Sequence, residues 1–273
     1  MNTRQQAIGV FDSGVGGLTV LRALMQALPG ESFVYLGDTA RLPYGTKTSA
    51  TVQRYAARAA EFLVQRDIKA LVVACNTASA AALPALREHY AQLPVLGVIE
   101  PGAASAVAAT RNGRIAVLAT ESTVAGGAYV QAIQALRPQA PVQSLACQLF
   151  VALAEEGWVD GEVALAAAHR YLDPLFAAAH SRPDVLLLGC THFPVLAPVL
   201  SQVVGADVAV VDASQAVAAA LRAVLTERDL LSTATSATAP VLLATDGLAR
   251  FARVGSTFLG QSLSSTQVQL VDL

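Results

Sequence analysis

Short apolar, β-branched runs recur along the chain, and each stops abruptly at a polar or small residue. Ile8 to Phe11 stops at Asp12, and Phe33 to Leu36 stops at Gly37-Asp38-Thr39. Leu71 to Ala74 stops at Cys75-Asn76-Thr77, and Val95 to Ile99 stops at Glu100-Pro101. Runs of that length and make-up predict buried strands. Between them lie stretches at helical spacing: Leu18 to Leu28, closed by Pro29-Gly30, then Thr48 to Gln65, then about Ser79 to Tyr90. Strands alternating with helices imply βαβ units and a mostly parallel sheet.

A second round repeats the first. Strands are predicted at Arg114 to Leu118, Val142 to Ala146, Val185 to Leu188 and Val208 to Val211. They stop at Ala119-Thr120-Glu121-Ser122-Thr123, at Cys147, at Gly189-Cys190 and at Asp212. Leu186-Leu187-Leu188-Gly189-Cys190-Thr191-His192 has the form of Leu71-Val72-Val73-Ala74-Cys75-Asn76-Thr77, with the cysteines 190 − 75 = 115 residues apart. Gly97-Val98-Ile99-Glu100 aligns with Ala209-Val210-Val211-Asp212 at 209 − 97 = 112. Two nearly equal offsets predict an internal duplication and two similar α/β halves. In the tail, Ser232 to Ala237 is a small-residue linker, Pro240 to Ala244 a further strand and Asp246 to Val254 a short helix. Val268 to Leu273 is expected as an edge strand packing against the first half.

Composition narrows the classes. A chain of 273 residues, 54% hydrophobic, allows one large domain or two small ones and can bury a sizeable core. The formal net charge of −2 gives no basic footprint for nucleic acid. Three cysteines, far apart in sequence, do not make a disulfide framework, and they fit a reducing, cytoplasmic compartment. No apolar stretch of signal-peptide type follows Met1 to Gln6. Glu100, Arg111, Asp212 and Arg222 interrupt the Ala-rich segments, so no membrane partner is expected.

The strand ends carry the candidate chemistry, because open parallel sheets bind ligands just past the carboxyl ends of their strands. A free cysteine is usually a small buried hydrophobe. Two in matching contexts, each followed by Thr or Asn-Thr, point instead to a shared task. Facing each other across a cleft, one thiolate would take a proton from a carbon while the opposite thiol returns one to the other face. That is a two-base racemase or epimerase, and it needs neither metal nor cofactor. The four histidines are scattered and form no two-His metal motif. A free thiol titrates near ~8.5, so such a site must lower it and stabilise the developing charge. Helix N-termini can help with both. Asp12 is expected beside Cys75, and His192, two residues past Cys190, beside the second sulfur. The turn Asp12-Ser13-Gly14-Val15-Gly16-Gly17 fits neither the dinucleotide fingerprint nor a P-loop. It reads either as room for a small ligand at a helix start or as a tight turn alone.

These motifs together resemble the glutamate racemases of the aspartate/glutamate racemase superfamily. The resemblance rests on Val10-Phe11-Asp12-Ser13-Gly14-Val15-Gly16-Gly17, Gly37-Asp38-Thr39, Pro43-Tyr44-Gly45, Ala74-Cys75-Asn76-Thr77-Ala78-Ser79 and Gly189-Cys190-Thr191-His192-Phe193-Pro194. It implies a cofactor-independent isomerase that interconverts L- and D-glutamate for peptidoglycan synthesis. It also implies two doubly wound parallel-sheet α/β domains related by a pseudo-twofold axis, with the site between them. Residues 1–98 plus 213–273 would form the first domain and 99–212 the second. Cys75 and Cys190 match the family's acid/base pair, with Asp12, His192 and Glu155 as auxiliary groups; Glu155 is preferred to Glu156. Substrate contacts are expected on Asp12, Ser13, Tyr44, Gly45, Asn76, Thr77, Thr123, Thr191 and His192. Gln148 and Ala152 stand where the family commonly has proline. The one partner implied is the small-molecule substrate, and a homodimer is compatible with the reading. Racemases of the aspartate, hydantoin or maleate type would share both cysteines, but Asp12-Ser13-Gly14 and Pro43-Tyr44-Gly45 favour glutamate. A thiol hydrolase would need one cysteine with a His partner, and a binding protein would tolerate serine at both positions.

Overall fold

The computed structural model describes residues 3–236 and 238–273; Met1, Asn2 and the linker's Ala237 lie outside them. The described residues form ten strands and eleven α-helices. In chain order the first half runs β1 (Ile8–Asp12), α1 (Leu18–Ala27), β2 (Phe33–Gly37), α2 (Ser49–Val64), β3 (Ala70–Val73), α3 (Asn76–His89) and β4 (Val95–Gly97). Next, α4 (Ile99–Ala109) leads to β5 (Ile115–Ala119), α5 (Glu121–Gly126), α6 (Ala128–Leu136) and β6 (Val142–Ala146). The second half continues with α7 (Gln148–Glu156), α8 (Gly161–Phe176), β7 (Val185–Gly189), α9 (Ala197–Val204) and β8 (Ala209–Asp212). The chain then returns through α10 (Ser214–Glu227), β9 (Val241–Ala244), α11 (Leu248–Leu259) and β10 (Val268–Leu270).

All pairings are parallel, in two sheets ordered β10-β9-β2-β1-β3-β4 and β6-β5-β7-β8. The block β2-β1-β3-β4 has the same order as β6-β5-β7-β8. Register tightens the match: Ile8 of β1 pairs with Ala70, and Ile115 of β5 pairs with Val185. The duplication therefore extends to individual residues, and Cys75 and Cys190 each follow the third strand of their block. The expected edge strand is present, with β10 beside β9 at the margin of the first sheet.

Parallel strands covered on both faces read as unbroken apolar runs, and β1, β2, β3, β5 and β7 are buried throughout. One face of the first sheet packs against α1, α10 and α11, and the other against α2 and α3. In the second sheet α7, α8 and α9 cover one face and α4 and α6 the other. Both halves are thus doubly wound.

Several boundaries differ from the sequence reading, the last strand for one ending at Leu270 rather than Leu273. The helix after Cys75 starts at Asn76 rather than near Ser79, because Cys75 itself caps it, its sulfur accepting the Ala78 N–H at 3.4 Å. The run from Val95 leaves the sheet at Gly97, and Glu100-Pro101 lies in the first turn of α4, where proline is tolerated. The last helix begins later than expected and continues to Leu259.

A buried ion pair ties the start of β3 to the returning chain. Lys69 Nζ stands 2.5 Å from Glu31 Oε2 and donates to the carbonyls of Arg4 and Leu230, while Glu31 Oε1 accepts the Ser232 N–H. Lys69→Met strands the Glu31 carboxylate in the interior and is expected to lower the unfolding free energy by about 3–5 kcal/mol. Pairing it with Glu31→Gln should cost less than the single change. Urea unfolding of the two variants checks that order.

Candidate active site

The carboxyl ends of β1, β3, β5 and β7 converge on one narrow cavity, and each of these strands is followed within two residues by Ser13, Cys75, Thr120 or Cys190. Its free volume is about 30 Å³, room for about one or two waters, and it lies between the two halves. Ser13, Tyr44, Gly45, Cys75, Asn76, Thr77, Glu155, Cys190, Thr191 and His192 line it, so most of the expected site residues meet there. Two do not line it. Asp12 is fully buried beneath the Gly-rich turn, and Thr123 lies behind the wall.

The two sulfurs have different surroundings. Cys75 caps α3 and donates to Ser13 Oγ at 3.6 Å. Burial and then the nearby Asp12 carboxyl push its thiol up to about 12, against the opposing pull of the Ala78 N–H and Ser13. At neutral pH Cys75 therefore carries its proton. Cys190 Sγ stands 3.9 Å from His192 Nδ1, and His192 Nε2 stands 3.2 Å from Glu155 Oε1. Burial pulls the imidazole down, but Cys190, Glu155 and Asp12 outweigh it and raise His192 to about 10. The Glu155 carboxylate is drawn down to about 2, chiefly by His192, against burial and with help from Arg250. At neutral pH an imidazolium stands beside Cys190, positioned as a counter-charge and a proton source. Glu156 is exposed and has no contact with His192.

Asp12 spans the seam from below. Its Oδ2 accepts the Gly14 N–H at 2.9 Å, and Thr191 Oγ1 of the other half approaches its Oδ1 at 3.5 Å. Burial raises its pKa, while His192 and the N–H groups of Gly17, Gly14 and Ser13 pull the other way. Of the glycines of this turn, Gly16 admits the opposing half and Gly17 the Asp12 side chain of its own half. A Cβ on Gly16 would lie 2.5 Å from His192 Nδ1 and from Thr191 Oγ1, and one on Gly17 would lie 2.5 Å from the Asp12 Cβ. Only Gly14 and Ser13 of the turn face the cavity.

Hydroxyl and amide groups close the remaining wall. Thr77 of the first half and Thr120 and Thr123 of the second form a triangle of hydroxyls 2.9 to 3.2 Å apart. The Tyr129 hydroxyl donates to Asn76 Oδ1 at 2.6 Å, which leaves the Asn76 amide N–H groups free to act as donors. The Tyr44 hydroxyl is committed to Asp38 at 2.6 Å, and Arg41 holds the other Asp38 oxygen. Asp38 therefore anchors the loop that lays Tyr44 and Gly45 over the cavity. Thr120, Gln148, Leu42 and Val151 line the cavity without having been expected there. Thr120 was within reach of the sequence: in the duplicated register it follows β5 as Ser13 follows β1. Among the described residues no cluster of three metal-ligating side chains occurs, and no helix is long and apolar enough to cross a membrane.

Known proteins share this chain's sequence and fold. Residues 8–221 match the family model for Asp/Glu/Hydantoin racemase. A glutamate racemase of Geobacter metallireducens is 49% identical over 266 residues, covering 97% of each chain. A glutamate racemase structure from Francisella tularensis, in complex with D-glutamate, superposes with a TM-score of 0.90 at 36% identity, covering 98% of both chains. A Bacillus anthracis glutamate racemase isoform gives 0.92 at 36% identity, covering 99% of this chain and 98% of that one. The chain belongs to the Asp/Glu/Hydantoin racemase family, among the glutamate racemases. It is an isomerase, an amino-acid racemase.

The linked charges set a pH dependence of stability. His192 is raised from 6.5 to about 10, so its contribution is fully present below pH 6.5 and is lost as pH rises through about 10. Glu155 is lowered from 4.5 to about 2, so its contribution is present above pH 4.5 and is lost as pH falls toward about 2. His192→Asn is therefore expected to cost most stability between those limits, near pH 5–6.5, and progressively less toward pH 10. Urea melts of both proteins across pH 5–10 check the trend.

Proposed function

We propose that the protein interconverts L-glutamate and D-glutamate by a two-base mechanism, with Cys75 and Cys190 as the acid/base pair and D-glutamate made for peptidoglycan. The observation that carries this is the opposition of two cysteines, on equivalent strand ends of duplicated halves, across one cavity. The Francisella relative holding D-glutamate supports glutamate as the substrate. The first domain is taken as 1–98 plus 213–273 and the second as 99–212.

The protonation pattern suits one starting direction. His192 as imidazolium beside Cys190 supports that sulfur as the base, while Cys75 holds the proton to be returned. Cys190 takes the Cα proton of L-glutamate, and Cys75 protonates the carbanion from the opposite face to give D-glutamate. The reverse reaction starts from the complementary state, with Cys75 as base. Negative charge growing on the carboxylate is met by the N–H and O–H donors of Asn76, Thr77, Ser13 and Thr191, which are already in place. Asp12 and the His192–Glu155 pair hold and relay protons next to the sulfurs, and Tyr44 and Gly45 shape the roof. Thr123 acts from behind, through Thr77 and Thr120.

In deuterium oxide the protein is expected to place deuterium at Cα of both glutamate enantiomers, read by NMR or mass spectrometry. Absence of exchange from either enantiomer would sink the racemase reading for glutamate.

Single Cys→Ser variants separate the two bases. Serine is a far weaker base than a thiolate, so each variant should lose racemisation. A β-chloroglutamate needs only one base: its Cα proton goes to sulfur, chloride leaves Cβ, and the enamine hydrolyses to 2-oxoglutarate and ammonia. Cys75→Ser should release chloride only from the L analogue, and Cys190→Ser only from the D analogue. A cysteine that proves dispensable for racemisation would count against the two-base scheme.

A further inference from the structure

One charged contact across the seam reaches the Cys190 arm from outside the cavity. Arg250 lies on α11, whose Phe251, Val254 and Phe258 are packed into the same core as β1 and α1 of the first half. Glu155 lies on α7, whose Phe150 and Leu153 belong to the core of the second half. Arg250 Nη2 donates to Glu155 Oε2 at 2.8 Å, and the other oxygen of the same carboxylate faces His192 Nε2 at 3.2 Å. His192 Nδ1 then faces Cys190 Sγ at 3.9 Å. Phe258, two turns further along α11 from Arg250, sets its ring edge to face against the imidazole, with centroids 5.2 Å apart.

We propose that Arg250 is a positioning residue that fixes the Glu155 carboxylate, and through it His192, so that Cys190 is armed only while the two halves are closed on each other. The inference rests on the two-cysteine reading above. Arg250 is half-exposed, and an ion pair at that exposure contributes little to stability. Its effect lies in orientation. A carboxylate with one oxygen held by a guanidinium has its other oxygen aimed, and the imidazole it meets has its ring and its proton placed for the sulfur. Without Arg250, Glu155 is free to turn toward water, and Glu156, whose Oε1 is 4.0 Å from the same guanidinium, has no path to His192. The cavity has room for only about one or two waters, so its walls must move to admit an amino acid, and the parting of the halves is the movement we assign. Because α11 stays with the first half and α7 with the second, parting them breaks the Arg250–Glu155 contact and closure remakes it.

The two single-base reactions test this. In the Cys75→Ser background, where Cys190 works alone, Arg250→Gln should slow chloride loss from L-β-chloroglutamate about tenfold, the scale seen when the outer partner of a working histidine is removed. Arg250→Lys should recover most of that rate, and Arg253→Gln, on the exposed side of the same helix, should leave it unchanged. In the Cys190→Ser background, Arg250→Gln should leave chloride loss from the D analogue within about twofold. Equal slowing of both reactions, or none of the first, overturns the proposal. In the otherwise native enzyme, Arg250→Gln should lower kcat about tenfold with KM changed less than about threefold. An unchanged kcat there overturns the role of Arg250 even if the cysteine variants behave otherwise than assigned, whereas chloride release from the wrong enantiomers alone refutes only the cysteine assignment.

Discussion

The close approach of the two halves at Gly16 is the constraint on which the site depends. There the backbone of the first half runs so near Thr191 and His192 of the second that no Cβ fits. Thr191 reaches Asp12 across the same gap, and His192 is held within reach of both Cys190 and Glu155. A side chain at Gly16 would push the halves apart and displace the imidazole with them. Elsewhere along the seam Gly45 has the same function against Thr120. These glycines do not free the backbone for an unusual conformation. They allow the walls of the two halves to stand close on either side of one cavity.

On that duplicated frame the two cysteines are made unlike by their neighbours. Cys75 meets a helix N–H, a serine hydroxyl and a buried carboxyl, and it keeps its proton. Cys190 meets an imidazolium backed by Glu155. The same asymmetry reappears two strands away. Asp38 follows β2 and anchors Tyr44, whereas the equivalent position after β6 is Cys147, buried and bonded to the Leu145 carbonyl. Symmetry of backbone with asymmetry of side chains lets one cavity present two cysteine sulfurs in unlike surroundings.

What the sequence by itself determined follows from local patterns. Parallel strands buried on both faces must be apolar throughout, so their runs and their stops stood out, and with them the two cysteines at equivalent stops. The 115-residue offset of the cysteines is a property of the chain alone and exposed the duplication; the second offset, read as 112, was three residues short, because the registers place Gly97 equivalent to Asp212 rather than Ala209. Helix starts were less legible, since a cysteine sulfur capping α3 and a proline in the first turn of α4 are not the usual signals. Tertiary structure alone decided which distant groups meet: Thr191 with Asp12, Tyr129 with Asn76, Thr77 with Thr120, and Arg250 with Glu155. It also moved Thr123 behind the wall and gave Gly16 to His192 rather than to a ligand. The physical reason is that each of these contacts crosses the seam between the halves. Their partners are far apart in the chain, and no local periodicity or motif records how one packed half seats against the other.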